Sequence, residues 1–207
     1  MNLLIFGASG ETGRELVKQA LAQGHEVTEF VRDSAKLKDM QHPNLKLVEG
    51  DVADSTAVEQ AIQGQDAVLS ALGSRTLKKN PKLVEGMRYI VQAMEKSGVK
   101  RLVYESALGV GDSRKRINFV FRYIIIPLVL RNAIADHEEK EAAIKQSQLD
   151  WVIVRPAGLT NGRHTGEYRH GESIQYGARI SCADVADFML KQVTDNTYLH
   201  QIPGMSY

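Results

Sequence analysis

The sequence predicts an α/β protein built on an open, doubly wound parallel sheet. Short, nearly continuous runs of Leu, Ile and Val alternate with longer stretches of helical periodicity, the pattern of right-handed βαβ units. A glycine-rich segment, Gly7-Ala8-Ser9-Gly10-Glu11-Thr12-Gly13, separates the first such run from the first helical stretch. The chain has 207 residues, enough for one nucleotide-binding-sized sheet and a small addition, but not for two full domains.

The elements follow in order. Asn2–Phe6 (NLLIF) reads as a strand covered on both faces, and Glu11–Gln23 as the first helix. Glu26–Val31 and Leu45–Glu49 are the next strands, followed by a helix at Ser55–Gln63 and a strand at Ala67–Ser70. In Leu83–Ser97 the residues Leu83, Met87, Ile90, Val91 and Met94 recur at three and four, which puts them on one helix face. Leu102–Glu105, a helix at Asn132–Ser147 and Trp151–Val154 complete the alternation. After Pro156, Gly158, Gly162, Gly166, Gly171 and Gly177 punctuate a loop-rich stretch with one or two short strands. A last helix opens at Ser181, where Ser181-x-x-Asp184 resembles a capping box with Asp in place of Glu. No repeat or linker divides the chain. Residues 1–207 read as a single domain in which 157–207 contribute a substrate-covering appendage and the last helix.

Composition excludes several classes. Lys plus Arg number 26 against 25 Asp plus Glu, a net charge of +1, so no overall field recruits nucleic acid or an anionic membrane, which leaves room only for a local basic pocket. Cys182 is the lone cysteine, which rules out an intrachain disulfide and a cysteine-rich zinc site. It reads as a small buried residue near a helix start. No His/Asp/Glu set has metal-ligand spacing. No charged leader precedes the apolar start at Leu3, so a cytoplasmic location is expected. The most apolar stretch, Ile117–Leu130, is interrupted by Arg122 and Pro127 and is shorter than the roughly 20 residues of a spanning helix. It reads as a kinked helix covering a pocket or a partner surface, with membrane contact as the alternative. A monomer and a homodimer are both compatible with the sequence.

The glycine segment carries the chemistry. After a strand, one glycine makes the tight turn, a second lets backbone approach a pyrophosphate, and a third packs helix on strand. The first-turn N–H groups and the helix dipole then favour phosphate. Here the spacing is G-x-x-G-x-x-G in a Rossmann-type strand–turn–helix setting. The second strand ends Phe30-Val31-Arg32, where NAD-binding versions usually carry an acid. Arg32, with Lys36 beyond it, suits the 2′-phosphate of NADP, while Glu29 and Asp33 keep NAD as the alternative. Asp51 and Val52 after the third strand suit adenine, and Asp51 equally suits an ordinary Asx turn. Leu72, Gly73, Ser74 and Arg75 follow the fourth strand, on the same carboxyl side of the sheet.

Together with Ser106-Ala107, Asp136-His137, Val154-Arg155-Pro156 and the Arg179–Ala186 stretch, these motifs resemble the atypical short-chain dehydrogenase/reductase group, in particular its NmrA-like members of flavin reductase/biliverdin-IXβ reductase type. The resemblance runs nearly end to end. It implies that Gly7, Ser9, Gly10, Glu11, Thr12, Gly13, Arg32, Lys36, Asp51, Val52, Leu72, Gly73, Ser74, Arg75, Ser106 and Pro156 line the NADP site.

The sequence departs from that group's usual chemistry. Short-chain dehydrogenases pair Tyr with Lys four residues on, and no tyrosine of this chain has such a lysine. An NADPH-dependent reductase acting on a conjugated small-molecule acceptor (a flavin, quinone or tetrapyrrole) fits this absence, because such an acceptor spreads the arriving charge. A non-catalytic NADP-binding redox sensor or scaffold fits it too, and a sugar-nucleotide epimerase or dehydratase fits it less well. Ser106 and His137 are the catalytic candidates. Ser106 reads equally as a strand-end hydroxyl bonded to backbone. His137, on a heavily charged helix, reads first as a solvated surface residue, with Glu141 pairing it or Lys145.

Overall fold

The computed structural model describes residues 1–33, 41–74, 76–171 and 179–207. Alternating side chains on the first strand set the layers. In β1 (Asn2–Phe6), Leu3 and Ile5 point to one side of the sheet, and Leu4 and Phe6 to the other. The first pair joins a core with Leu16, Val17 and Ala20 of α1 (Glu11–Ala22) and Val185, Phe188 and Met189 of α5 (Cys182–Lys191). The second pair packs against Val58 and Ile62 of α2 (Ser55–Ile62), Met87, Ile90 and Met94 of α3 (Pro81–Ser97) and Ile144 of α4 (Arg131–Lys145). The sheet is therefore sandwiched by helices on both faces, which explains why its strands read as unbroken apolar runs.

The remaining strands are β2 (Glu26–Val31), β3 (Leu45–Glu49), β4 (Ala67–Ser70), β5 (Arg101–Glu105), β6 (Asp150–Pro156), β7 (Gly158–Thr160), β8 (Arg169–Gly171), β9 (Arg179–Ser181) and β10 (Gly204–Ser206). The main sheet runs β3-β2-β1-β4-β5-β6-β10-β8, and all neighbours pair in parallel except β10 with β8. Chain order reverses direction between β1 and β4, which opens the crevice where ligands of such sheets bind. The predicted parallel doubly wound sheet is thus the fold observed.

Several boundaries differ for identifiable reasons. α3 begins at Pro81 rather than Leu83, because Pro at the first helical position loses no hydrogen bond and has its φ preset for helix. The C-terminal third supplies more than the one or two expected strands. β7 pairs with β9, while β10 and β8 extend the main sheet beyond β6. At the Ser181 cap, the hydroxyl accepts the Asp184 N–H at 3.0 Å, as the motif suggested. Asp184, one methylene shorter than Glu, does not close the reciprocal bond. It instead accepts from the Thr165 and Gly166 N–H groups at 2.8 and 2.9 Å and from the Tyr207 hydroxyl at 2.6 Å. Burial alone would raise its pKa, but these donors hold it at about 2. One buried carboxylate thereby ties the glycine-punctuated loop and the chain's last residue to α5.

Residues 117–130 form no simple kinked helix. After a 3-10 turn at Gly111–Arg116, the chain winds as a π-helix over Phe121–Leu130 that continues into α4. Proline in an α-helix crowds the carbonyl four residues back, and the wider π-turn gives the Pro127 ring room. Only Ile126 of this π-helix is buried, against Val110 and Ile134.

Candidate functional site

A cleft of about 960 Å³ opens outside the carboxyl ends of β1, β2, β4 and β5. Its near end is made of backbone. Gly7 has φ +84°, and a Cβ there would lie 2.5 Å from the Ala71 carbonyl oxygen of the neighbouring strand's exit. A Cβ on Gly13 would lie 2.2 Å from the Gly7 carbonyl oxygen, so α1 packs against the turn only with glycine at that position. Gly10 caps α1 without any side-chain bond, which leaves the first-turn N–H groups facing the cleft. Thr12 offers its N–H alone, because its buried hydroxyl donates to Glu105 Oε1 at 3.0 Å.

Of the residues expected at the cofactor site, Gly7, Ser9, Gly10, Glu11, Thr12, Gly13, Arg32, Asp51, Val52, Leu72, Gly73, Ser74 and Ser106 all line this cleft. Arg32 is exposed at its rim, and Phe30 lines it while Glu29 is buried within β2. Asp51 faces the cleft and also makes the Asx turn, its Oδ1 accepting the Ala53 N–H at 3.0 Å. Lys36 and Arg75 lie outside the described residues. Pro156 does not belong with the lining residues. β6 runs on to Pro156 because β10 pairs with it, so that strand end is buried instead of open, and the Pro156 carbonyl accepts the Leu108 N–H at 3.0 Å. Buried Cys182 starts α5, as its small apolar character suggested, and touches the cleft edge; burial raises its thiol pKa.

The far end is made of side chains from β5, β6 and α4. His137 is not a solvated surface residue. One turn of α4 carries Asp136, His137 and Lys140 toward the cleft, and the charged residues around them in sequence point elsewhere. His137 Nδ1 lies 2.7 Å from the hydroxyl of buried Tyr104. Burial, aided by the Lys140 charge, lowers the imidazole pKa to about 3, so it is neutral at pH 7. Burial also raises the Tyr104 pKa far above its usual value. The Tyr104 phenol therefore keeps its proton, and Nδ1 is the acceptor within reach. That pairing selects the tautomer with the proton on Nε2.

Lys140 is the residue that the sequence did not single out. Its ammonium is buried, donates to the Leu72 carbonyl at 3.0 Å and lies 5.5 Å from the Tyr104 ring centre. Burial lowers its pKa to about 8, against the pull of Asp136 and Glu105. Glu105 is pushed up to about 7 by its own burial. A tyrosine and a lysine do meet in this site, but from β5 and α4, so no fixed sequence interval links them.

Ser106 is not bonded to backbone through its hydroxyl. Its Oγ donates to Glu141 Oε1 at 2.7 Å, and the same carboxylate takes Arg155 Nε at 2.9 Å, Arg155 Nη2 at 2.7 Å and Lys145 at 2.9 Å. Arg155 also reaches Asp112 at 2.6 Å. Burial favours protonating Glu141, yet the Arg155 hydrogen bonds outweigh it and hold the pKa below the usual value. Glu141 thus pairs with Lys145 and Arg155, and Ser106 turns its lone pairs, not its proton, toward the cleft.

A glycine cradle at one end of a switch-point crevice, with uncapped helix N–H groups aimed into it, defines a dinucleotide-binding protein of the Rossmann class. The model of a family described as NAD(P)H-binding matches residues 7–196, and the chain belongs to that family. This bears out the resemblance read from the motifs. Among relatives, it is 28 % identical to an uncharacterized protein, YwnB, of Bacillus subtilis, over 93 % of this chain and 92 % of that one. It is 28 % identical to the photosystem II assembly factor Ycf39 of Synechocystis over 93 % of its own length, but spans only 58 % of that protein. Among solved structures, the anaerobillin reductase ChuY of Escherichia coli O157:H7 superposes with a TM-score of 0.83 at 22 % identity, covering 100 % of this chain and 97 % of that one.

Proposed function

We propose that the protein is an NADPH-dependent reductase of a conjugated small-molecule acceptor such as a flavin, quinone or tetrapyrrole. The observation that carries this reading is the polarity of the cleft. One end suits a pyrophosphate, and the other presents a cation, a donor and an acceptor on rigid elements, with the Tyr104 and Ser106 hydroxyl protons committed to His137 and Glu141. NADPH, when bound, supplies the hydride. The N–H groups of the Gly7–Gly13 turn hold its pyrophosphate, and Arg32 forks onto the 2′-phosphate. Asp51 and Val52 flank adenine, while Leu72, Gly73 and Ser74 border the ribose and nicotinamide. Ser106, its proton committed to Glu141, accepts an N–H from the carboxamide or the acceptor. His137 offers its Nε2–H to the acceptor's heteroatoms. Lys140 sits where negative charge arrives on the reduced acceptor, and its ammonium stabilises that charge or gives up a proton that solvent then replaces. The net change takes one hydride from NADPH and one proton from Lys140 or water.

ChuY, which shares the fold, is an anaerobillin reductase, and this supports the choice of a conjugated acceptor. The exposed apolar π-helix favours a second reading, an NADP-binding module that docks on a partner without turnover. Titration with NADPH and NADH, followed by acceptor-dependent NADPH oxidation, separates the two. Arg32→Ala should weaken NADPH by roughly 10- to 100-fold, the value of about 1.5–3 kcal/mol for a hydrogen bond to a charged group, and leave NADH nearly untouched. Equal losses would remove Arg32 from the 2′-phosphate.

A further inference from the structure

The segment between the 3-10 turn and α4 has more apolar surface than its packing uses. Ile126 alone of the π-helix is buried, while Phe119 is 71 % exposed and Leu128 is 78 % exposed. Phe121, Tyr123, Ile124 and Val129 are exposed beside them. Phe119 and Tyr123 pack with tilted rings whose centres are 4.7 Å apart, and the Arg122 guanidinium lies 5.1 Å from the Tyr123 ring. Charge is equally one-sided. Residues 113–135 contain Arg114, Lys115, Arg116, Arg122 and Arg131 and no acidic residue, in a chain whose net charge is only +1. Arg114 and Arg116 face Glu138 and Asp112 at 3.6 Å, and the other three have no acidic partner among the described residues.

We propose that this π-helix is a monotopic docking face for an anionic lipid surface, lying in the headgroup plane with its aromatic and aliphatic side chains buried and its basic residues on the phosphates. Apolar surface buried in the headgroup region and arginine and lysine close by both strengthen binding to negatively charged bilayers. A two-fold copy of the chain would bring the two all-basic segments against each other. The same helix runs into α4, whose Ala133 and Asp136 line the cleft, so docking sets the cleft mouth beside the lipid. Docking of this kind is independent of whether the bound nucleotide turns over.

Co-sedimentation with phosphatidylglycerol/phosphatidylcholine vesicles and with pure phosphatidylcholine vesicles tests the proposal. The protein should pellet with the anionic vesicles, lose that binding at high salt, and bind neutral vesicles at least tenfold more weakly. Phe121→Asp with Leu128→Asp should cut anionic-vesicle binding tenfold or more, and so should Lys115→Glu with Arg131→Glu. NADPH affinity and the far-ultraviolet circular dichroism of each pair should match the parent chain, which separates lost docking from lost folding. No pelleting with anionic vesicles, or pelleting unchanged by both pairs, would overturn the proposal. A concentration-dependent dimer dispersed by the same substitutions, without vesicle binding, would assign the face to a second copy and also overturn it.

Discussion

The two ends of the cleft are built from different materials. The phosphate end is backbone, drawn from one continuous segment, Gly7–Gly13, and its specificity lies in which positions lack a Cβ. The far end is side chains gathered from Tyr104, Glu105 and Ser106 on or after β5, Arg155 on β6, and Asp136, His137, Lys140 and Glu141 on α4. Backbone can hold an anion without any buried charge of its own. The far end instead buries charged groups and has to balance them: Glu141 pairs with Arg155 and Lys145, and the nearby Asp136 and Glu105 favour the charge on Lys140. Nucleotide binding therefore rests on the robust half of the site, and the proposed reduction on the half that depends on a network.

Substitutions at the two ends should fail in different ways. The largest effect is expected from Arg155→Met, which leaves Glu141 buried with its main partner gone. Breaking such a pair costs about 3–5 kcal/mol, measured as a lower urea midpoint. Arg155→Met with Glu141→Leu should recover much of it, because no charge is then stranded. A single-variant loss under about 1 kcal/mol would mean that the pair does not carry the far end. Gly13→Ala comes next. Its Cβ would meet the Gly7 carbonyl oxygen at 2.2 Å, so the turn has to shift, and NADPH binding should weaken about 100-fold, equivalent to about 3 kcal/mol. Parent-like affinity in calorimetry would contradict the cradle.

Lys140→Met should leave NADPH affinity within a few-fold of the parent and lower acceptor turnover about 100-fold, the lower range for a positioned acid or charge. The pH profile carries the sign. Lys140 is protonated below about 8 and loses its charge above it, so the parent's rate should fall as pH rises through about 8. Lys140→Arg keeps the charge at all accessible pH and should flatten that limb. His137, with its pKa lowered to about 3, should contribute no limb near its ordinary value of 6.5. A rate limb near 6.5 that disappears in His137→Asn would contradict the half-buried, neutral imidazole.

The same contrast explains what the sequence made legible. The first six strand segments, the turn at Gly7–Gly13, Arg32 and the Ser181 cap are local patterns, and each stands where the sequence put it. Lys140 is not legible in the sequence because its partner Tyr104 lies 36 residues earlier on another element, and no fixed interval joins a strand to a helix. His137 was misread because Glu138 and Glu139 suggested a solvated face, whereas the turn of α4 that faces the cleft takes up positions 136, 137 and 140. Arg155 carried a signal that could have been used: a lone cation in the apolar strand DWVIVRP requires a buried acid, and Glu141 provides it. Pro156 was misplaced because nothing local announces that β10 pairs beside it.

Both ends of the cleft should work together on one bound nucleotide. The most direct measurement is the loss of NADPH absorbance in the presence of flavin, quinone and tetrapyrrole acceptors, run on the parent chain and on Lys140→Met at saturating NADPH. Oxidation that requires one of these acceptors, and that falls about 100-fold in the variant while binding persists, is the predicted result. Saturable NADPH binding with no acceptor-dependent oxidation in the parent chain would contradict it and leave a nucleotide-binding module without turnover.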